Sequence, residues 1–443
     1  MRNNSTLAGR LKRYANVSTS MSSAAVRLIG ERYFGLSVDH ESLAEDLTHA
    51  LGSLKGPVMK IAQMLASIPD SIPSEYASEF LQLQANAPAM GWPFVRRRMA
   101  AELGKNWQEN FTTFHPEASF AASLGQVHKA ESKEGELLAC KLQYPDMSST
   151  VEADLTQLKI ILSLYEASLN AIKTEEIYKE IKTRLWEELD YELEAKHIAL
   201  YHYILKNEAS VRLPTVIPEL STKRLLTMTW LEGTPLKALG DLSQEKRNCL
   251  AYNVFQAWYK PFYHYGVIHG DPHLGNYTFS SEGILNLLDF GCVRKFPPSF
   301  VKGVIDLYYA LLHKDKDRAV AAYESWGFMN LTNDLIEVLN LWANLLYEPL
   351  LADCIRPIQV DNRGLYGREI AYQVHTKLKE LGGVLPPREF VFMDRAAVGV
   401  GSVFMHLKAE LNWHQIYQEL IQDFKVEIVE EQQNKALKKA NLL

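Results

Sequence analysis

The sequence predicts an α+β fold in which a small β-rich unit follows a helical segment and precedes a larger helical unit. Between Leu43 and Leu54, leucines recur at the spacing of one helix face, which predicts an N-terminal helical segment. Apolar and polar residues then alternate over Ser119–Ala130 and Glu136–Leu142, on either side of a short turn, and this pattern predicts a β-hairpin. After Pro235 the pattern becomes mostly helical and stays so to the end of the chain.

The stretch between the hairpin and Pro235 is predicted to contain both helices and strands. Helical periodicity covers residues 151–172 and 175–206, and Val211–Ile217 and Leu225–Leu231 have the composition of strands. The chain therefore divides into four predicted regions: a basic N-terminal segment (1–39), a helical extension (40–115), a β-rich unit (116–232) and a helical unit (233–443).

Composition narrows the class of protein. With 47 basic and 53 acidic residues the net charge is −6, which does not favour a general nucleic-acid binder. The four cysteines lack paired or metal-type spacing, which suits a protein of a reducing compartment. No stretch has the composition of a transmembrane helix.

The N-terminal residues 1–30 contain basic residues and no acidic one. This segment fits a helix on a membrane surface or a transit peptide as well as it fits a solvated helix with a positive face.

Two motifs in the helical unit indicate phosphoryl transfer. His269–Asn276 reads His-Gly-Asp-Pro-His-Leu-Gly-Asn, and Leu-Leu-Asp-Phe-Gly follows at 287–291. In protein kinases a catalytic-loop aspartate acts on the hydroxyl group, while a following asparagine and the Asp-Phe-Gly aspartate hold Mg²⁺ against the nucleotide phosphates. Asp271, Asn276 and Asp289 would take these roles here. Ordinary turns also use Asp, Gly, Pro and Asn, but two motifs at this separation predict a two-lobed, protein-kinase-like fold.

The β-rich unit contains the expected nucleotide contacts. Lys141 lies in an apolar strand, like the kinase lysine that reaches the α and β phosphates, although a lone strand lysine is more often a solvated edge residue. The preceding turn is rich in alanine where kinases have glycine, and its backbone N–H groups would close over the phosphates. A hinge around Met228–Leu231 would offer backbone groups to adenine. The predicted cofactor contacts are Ala121, Ala122, Ser123, Gly125, Gln126, Lys141, Met228 and Leu231.

Lys141 also needs a carboxylate on the following helix to hold its ammonium group. Most acidic residues on such a helix form its solvated face, so one or two at most take part in chemistry. Spacing alone does not choose among the four candidates, which are Glu180, Glu187, Glu188 and Asp190.

The two histidines of the first motif allow a competing interpretation. His269 and His273 flank Asp271 as His-x-Asp-x-His, a pattern that could hold a transition metal. Mg²⁺ prefers oxygen ligands, and a packed catalytic-loop histidine is the commoner case. The oxygen-ligand interpretation is therefore favoured.

Together these motifs resemble the UbiB family of atypical, protein-kinase-like proteins, which is tied to coenzyme Q biosynthesis. The resemblance covers residues 40–420 and rests on the loop up to Val127, on Glu188–Tyr191, on the Asp271–Gly291 region and on Lys60-Ile61-Ala62-Gln63. It implies that Lys60 and Gln63 are active-site residues, contributed by a helical extension that occupies the place where a protein substrate would dock. It also implies that Glu188 and Asp190 are partners of these residues or of Lys141.

Three positions depart from the pattern of this family. Ala62 stands where the family has glycine, Phe120 where another alanine of the loop is usual, and Leu274 where proline is usual. None of these changes removes a chemical group from the predicted site. We therefore expect an active nucleotide site.

The favoured function is an atypical kinase or ATPase that binds ATP (or ADP) with Mg²⁺ and supports ubiquinone or related prenyl-lipid synthesis at a membrane surface. The resemblance implies a cytoplasmic, peripherally membrane-associated protein, on the matrix side if mitochondrial. Its partners would be the lipid surface, quinone-biosynthesis proteins or prenyl-lipid intermediates, with a homodimer as one allowed assembly and no nucleic acid. A small-molecule kinase of aminoglycoside or choline type and a nucleotide-gated lipid- or protein-binding scaffold are the alternatives.

Overall fold

The computed structural model describes residues 90–122, 124–169, 175–272, 274–358, single positions between 370 and 381, and 388–443. The basic N-terminal segment, most of the helical extension with Lys60 and Gln63, and Ser123 of the loop lie outside the described residues. The chain forms two compact units: Met1–Glu192 with Val216–Thr229, and Leu193–Thr215 with Trp230–Leu443. Each unit is described by itself below.

The first unit combines a five-stranded antiparallel sheet with helices. The elements of this unit are α1 (Trp92–Leu103), β1 (Phe111–Phe114), β2 (Phe120–Ala122), β3 (Gly125–Ser132), β4 (Leu137–Gln143), α2 (Met147–Leu169), α3 (Glu175–Glu188) and β6 (Leu225–Thr229). The sheet has the strand order β1-β3-β4-β6, and β2 pairs with β3. The predicted hairpin is confirmed as the β3–β4 pair.

Two apolar clusters stabilise the sheet. In the first, Val95 and Met99 of α1 pack with Trp107 and the buried side chains of β1 and β4. Trp107 lies edge-on to the Phe114 ring at 5.0 Å between centroids, a favourable aromatic arrangement. In the second, α2 and α3 pack together through leucine and isoleucine side chains, and Leu124 of the loop joins them.

The predicted continuous helix over 175–206 is interrupted. α3 ends at Glu188, and α4 (Tyr191–Ile204) begins after two residues. At the break, the Gln143 side chain of β4 donates a hydrogen bond of 2.6 Å to the Leu189 carbonyl. This carbonyl is therefore held by the sheet, and the local N–H groups make tighter, i→i+3 bonds instead of α-helical ones.

The second unit is mostly helical and contains short strands. The strands are β5 (Val211–Arg212), β7 (Thr234–Pro235), β8 (Val267–His269), β9 (Tyr277–Phe279), β10 (Leu285–Leu287), β11 (Val293–Lys295), β12 (Arg356–Pro357) and β13 (Glu410–Leu411). β10 lies between β5 and β9 in a four-stranded sheet, where it is parallel to β5 and antiparallel to β9. Two further pairs are β8–β11 and β12–β13.

Helices build the core of the second unit. The central one is α5 (Gln244–Tyr265), which begins behind a Ser243 cap and is followed by Gly266 in the left-handed conformation. Within the described part of the chain, no helix combines the length and the apolar character that a membrane span requires. The remaining elements are α4 from Leu193 onward, α5 (Gln244–Tyr265), α6 (Pro298–His313), α7 (Lys316–Ser325), α8 (Asn333–Leu351), α9 (Arg388–Leu407), α10 (Trp413–Ile421) and α11 (Val426–Lys439).

The predicted strand over Val211–Ile217 is shorter than expected. β5 ends at Arg212 and joins β10 of the second unit, whereas Val216 makes an isolated bridge to Met228 in the first unit. Pro214 between them has no N–H group to donate to a strand ladder, so the pairing stops there.

Candidate active site

Lys141 occupies the middle of β4, opposite Val127 of β3 and Leu226 of β6. Its side chain is buried in the first unit. The ammonium nitrogen lies 5.3 Å from the centre of the Tyr191 ring, within cation–π distance. Lys141 is therefore an interior lysine of a central strand, as a phosphate-binding role requires, and not a solvated edge residue.

The alanine-rich loop is a tight connection between β2 and β3. Ala122 pairs with Gly125 and Ala121 with Gln126, so two residues make the turn. A Cβ atom at Gly125 would lie 2.1 Å from the Leu142 carbonyl oxygen. This close approach of two strands explains why position 125 is glycine, although alanine occupies positions 121 and 122 of the same loop.

Gln126 ties this loop to the start of α1. Its side chain is completely buried; Oε1 accepts from the Met90 N–H at 2.6 Å, and Nε2 donates to the Met90 carbonyl at 3.3 Å. Nε2 also bonds His128 Nε2 at 2.7 Å, and His128 Nδ1 bonds the His115 carbonyl. The second bond makes Nδ1 the protonated nitrogen, so Nε2 accepts from Gln126. The Gln126 side chain is thus committed to the protein.

Three candidate carboxylates, Glu187, Glu188 and Asp190, lie around the helix break, whereas Glu180 lies within α3. Gln143 anchors this segment by donating to the carbonyls of Leu189 and Lys223. Glu188, the last residue of α3, is half-buried, whereas Asp190 is exposed. Glu188 as a partner of Lys141 stays a prediction.

The predicted hinge residues are also placed. Met228 is buried in β6 opposite Ala139 of β4, so its main chain belongs to the sheet of the first unit. Leu231 follows β6 and is half-buried in the second unit. Their contact with adenine stays a prediction.

In the second unit His269 connects the two motif loops. It ends β8, is almost fully buried, and accepts a hydrogen bond at Nδ1 from the Asp271 N–H. Its Nε2 donates to the Asp289 carbonyl. Both ring nitrogens are therefore engaged with main-chain groups, which is the structural role favoured over metal binding. His273 lies outside the described residues, and among those described no group of three or more His, Cys, Asp or Glu residues forms a metal site.

Asn276 and Asp289 present oxygen atoms that suit Mg²⁺. The Asn276 amide nitrogen donates to the Asp271 carbonyl at 3.1 Å, which leaves its amide oxygen as the ligand atom. Asp289 Oδ1 accepts from the Gly291 N–H at 2.9 Å, and both side chains are half-buried. Mg²⁺ takes oxygen ligands and is commonly held by one or two protein groups together with substrate phosphates. The donor set fits this ion.

Helix α4 holds the Asp-Phe-Gly segment with residues that the sequence analysis did not select. Glu194 Oε1 accepts from the Phe290 N–H at 3.4 Å, and His197 Nδ1 donates to the Phe290 carbonyl at 3.0 Å. The Tyr201 ring packs against the Phe290 ring at 5.1 Å. The three residues share one helix face, since they are three and four positions apart. That spacing was visible in the sequence, but nothing local pointed to Phe290 as the partner.

His197 makes stability dependent on pH. Burial lowers its pKa to about 4, below the ordinary 6.5. Between these values the unfolded chain binds a proton that the folded chain does not, so the stability present above pH 6.5 is lost as pH falls toward 4. The full loss is roughly 3 kcal/mol. We expect urea unfolding to show about 2 kcal/mol less pH dependence between pH 7 and 5 in His197→Asn than in the unaltered protein.

Asparagine keeps a donor near the position of Nδ1 but does not titrate, so this variant separates the charge from the hydrogen bond. His128 and His264, whose pKa values burial also lowers, contribute equally to both proteins. Identical pH dependence in the two proteins would contradict the assignment to His197.

Two glycines allow close packing around Asp271. A Cβ atom at Gly270 would lie 2.6 Å from Cys292 Sγ, and the Gly270 N–H donates to the Cys292 carbonyl at 2.7 Å. On helix α9, a Cβ atom at Gly399 would lie 2.1 Å from Cγ of Pro272. Glycine within a helix costs about 1 kcal/mol relative to alanine, so packing against the loop that carries Asp271 explains Gly399.

The first unit has an antiparallel sheet with an interior lysine. In the helical second unit, Asp271, Asn276 and Asp289 lie on two connected loops. Together these features define a protein-kinase-like fold. The ABC1 atypical kinase-like domain matches residues 82–323, which is 242 of the 443 residues. The chain therefore belongs to the ABC1 atypical kinase-like family. This confirms the family inferred from the motifs.

Two mitochondrial relatives support the assignment of the chain to this family. The mitochondrial atypical kinase COQ8B of Danio rerio is 29% identical over 311 residues, 68% of this chain and 50% of the relative. The mitochondrial atypical kinase COQ8 of Saccharomyces cerevisiae is 29% identical over 301 residues, 66% of this chain and 60% of the relative. The matched region thus spans half to three fifths of these relatives. The solved structure of the Rv3197–erythromycin complex from Mycobacterium tuberculosis shares the fold (TM-score 0.61, 24% identity, 86% of this chain and 96% of that one).

Proposed function

We propose that this protein binds Mg-ATP, or Mg-ADP, and acts as an ATP-dependent phosphotransferase or ATPase of the atypical kinase class. The observation that carries the proposal is the pair of connected loops in the second unit. His269 bonds main-chain groups of Asp271 and Asp289, and Asn276 bonds the Asp271 carbonyl. These bonds keep a carboxylate, an amide oxygen and a second carboxylate in one local framework, which suits phosphoryl transfer because it depends on positioning more than on covalent chemistry.

Each predicted residue has a role in this proposal. Lys141 binds the α and β phosphates, and the main chain of the loop around Ala121, Ala122 and Gly125 covers them. Asn276 and Asp289 would hold Mg²⁺, which supplies charge neutralisation at the phosphates when it is bound. Asp271 orients the attacking oxygen atom, whether it belongs to a hydroxyl group or to water.

We place this activity in the synthesis of ubiquinone or a related prenyl lipid at a membrane surface. The support is the family, together with relatives named COQ8 and described as mitochondrial. Lys60 and Gln63 of the extension would complete the site and restrict access for protein substrates. The lipid surface, quinone-biosynthesis proteins and prenyl-lipid intermediates are the proposed partners.

The test is turnover of Mg-ATP by the purified protein, alone and with anionic-lipid vesicles. We expect turnover that depends on Mg²⁺ and rises when anionic vesicles are present. Vesicles of zwitterionic lipid are the control, because they offer the same hydrocarbon without the negative surface charge. Nucleotide binding without turnover in every condition would contradict the enzymatic proposal and favour a nucleotide-gated scaffold.

A small-molecule kinase is the second candidate, and one structural observation favours it. β11 begins two residues after Gly291, and α6 begins at Pro298, so the chain has no long activation loop at this point. Such a loop, ordered by phosphorylation, is a device of protein kinases. Turnover that ignores lipid but rises with a small hydroxylated compound would support this candidate.

Replacing Gly399 by alanine should slow turnover although the residue lies outside both motifs. The added methyl group would meet the rigid Pro272 ring at 2.1 Å, so either α9 or the loop that carries Asp271 must move. A displacement of this size at a reacting group costs about 10- to 100-fold in kcat. We expect steady-state kinetics to show this loss in kcat, with a smaller change in KM for ATP.

Gly401→Ala is the matched control on the same helix. A Cβ atom there has nothing within 4 Å. This variant should keep its turnover and gain up to about 1 kcal/mol of stability, because alanine is the better helix former. Equal turnover in the two variants would show that the Gly399–Pro272 contact does not position the loop.

A further inference from the structure

A partly open cavity of about 100 Å³ lies within the second unit. Helices α5, α6, α7, α8, α9 and α10 contribute its walls. Asp271, Asn276 and Asp289 are not among the residues that line it, so it is distinct from the proposed nucleotide site. Its walls are mainly aromatic and aliphatic, with Phe255, Trp326, Trp342 and Phe404 among them.

Several polar groups of the wall are already used within the protein. The Tyr417 hydroxyl donates to the Tyr263 hydroxyl at 3.0 Å, and the Tyr347 hydroxyl donates to the Val304 carbonyl at 3.0 Å. The lining residues, all in the described part of the chain, include no charged side chain. A charged ligand would lose its hydration without compensation here, whereas a neutral apolar ligand would not.

The size of the cavity limits the ligand further. An apolar cavity of about 150 Å³ in another protein is dry and takes up benzene or xenon. A smaller cavity with aromatic walls therefore suits one neutral ring, which can stack or lie edge-on against the wall side chains. We propose that the second unit binds a small neutral aromatic molecule of single-ring size in this cavity.

Helix α9 borders both the cavity and the loop that carries Asp271. Met393, Ala397 and Phe404 line the cavity, while Gly399 of the same helix meets Pro272 of the catalytic loop. Ala397 and Gly399 are two positions apart and therefore point to different sides of the helix. A ring bound in the cavity would thus touch the helix that abuts the loop carrying Asp271.

Iodobenzene tests the proposal, since it is neutral, has one ring and carries a heavy atom. In crystals soaked with it, we expect an anomalous iodine peak inside the cavity. In solution we expect saturable quenching of tryptophan fluorescence, because Trp326 and Trp342 lie in the wall. The charged analogue 4-iodobenzoate should give neither signal.

Two variants show whether the quenching arises in the cavity. Ala397→Met places a flexible apolar side chain into the space and should weaken iodobenzene binding at least about 10-fold. Ala321→Met, at an exposed position on α7, should leave binding unchanged. Circular dichroism confirms that both variants are folded. No iodine peak in crystals of the unaltered protein, or undiminished binding by folded Ala397→Met, would overturn the proposal.

Discussion

Asp289→Ala should abolish Mg²⁺-dependent nucleotide binding and reduce turnover at least about 1,000-fold. The variant removes a carboxylate proposed to hold the metal ion against the phosphates, a contribution of several kcal/mol, and about 4 kcal/mol corresponds to this factor. Calorimetric titration with ATP, with and without Mg²⁺, measures the binding. Steady-state kinetics measure the turnover.

Asp289 also has a structural function that the experiment must separate. Its Oδ1 accepts from the Gly291 N–H, so alanine would loosen the turn as well as remove the ligand. Asp289→Asn retains an oxygen acceptor at this position but loses the negative charge. We expect it to keep the folded structure and still bind Mg-ATP much more weakly. Full Mg²⁺-dependent binding by both variants would contradict the metal role of this residue.

Asp271→Asn should reduce turnover by about 100- to 10,000-fold and leave Mg-ATP binding nearly unchanged. A positioned acid–base group contributes a factor of this size to proton transfer, and an amide cannot accept the proton. The substitution keeps the main-chain N–H that bonds His269 and the carbonyl that bonds Asn276, so the loop should remain in place. Single-turnover and equilibrium-binding measurements separate the chemical step from nucleotide affinity.

This variant also distinguishes the enzyme from the scaffold. A protein that works through nucleotide binding alone would function in cells with asparagine at this position. Loss of cellular function together with retained binding supports the enzymatic proposal. Retained function would show that binding is sufficient.

The sequence was most informative where the chemistry is local. Asp271, Asn276 and Asp289 fall within 19 consecutive residues, so their spacing alone indicated a metal and catalytic loop pair. The β3–β4 hairpin was predictable for the same reason, because alternation and a short turn lie side by side in the chain. Lys141 was found through its strand context.

Hydrogen bonds between residues far apart in the chain could not be predicted from the sequence. His197 and Glu194 bond Phe290 across more than 90 residues, and Gln126 bonds Met90 across 36. Such pairs depend on how elements pack, and no local pattern encodes their partners. A long-range contact also interrupts the predicted helix over 175–206, because the Gln143 side chain donates a hydrogen bond to the Leu189 carbonyl. Pairing with the carboxylates near this break therefore stays a prediction.

The contact between Gly270 and Cys292 has an evolutionary consequence. Protein kinases have arginine at the position of Gly270, where it can pair with a phosphorylated activation loop. A side chain at position 270 would place its Cβ atom 2.6 Å from Cys292 Sγ, so the Cys292 side chain would have to turn away or be smaller. A lineage with this structure could therefore accommodate the arginine only together with a rearrangement or a replacement at residue 292.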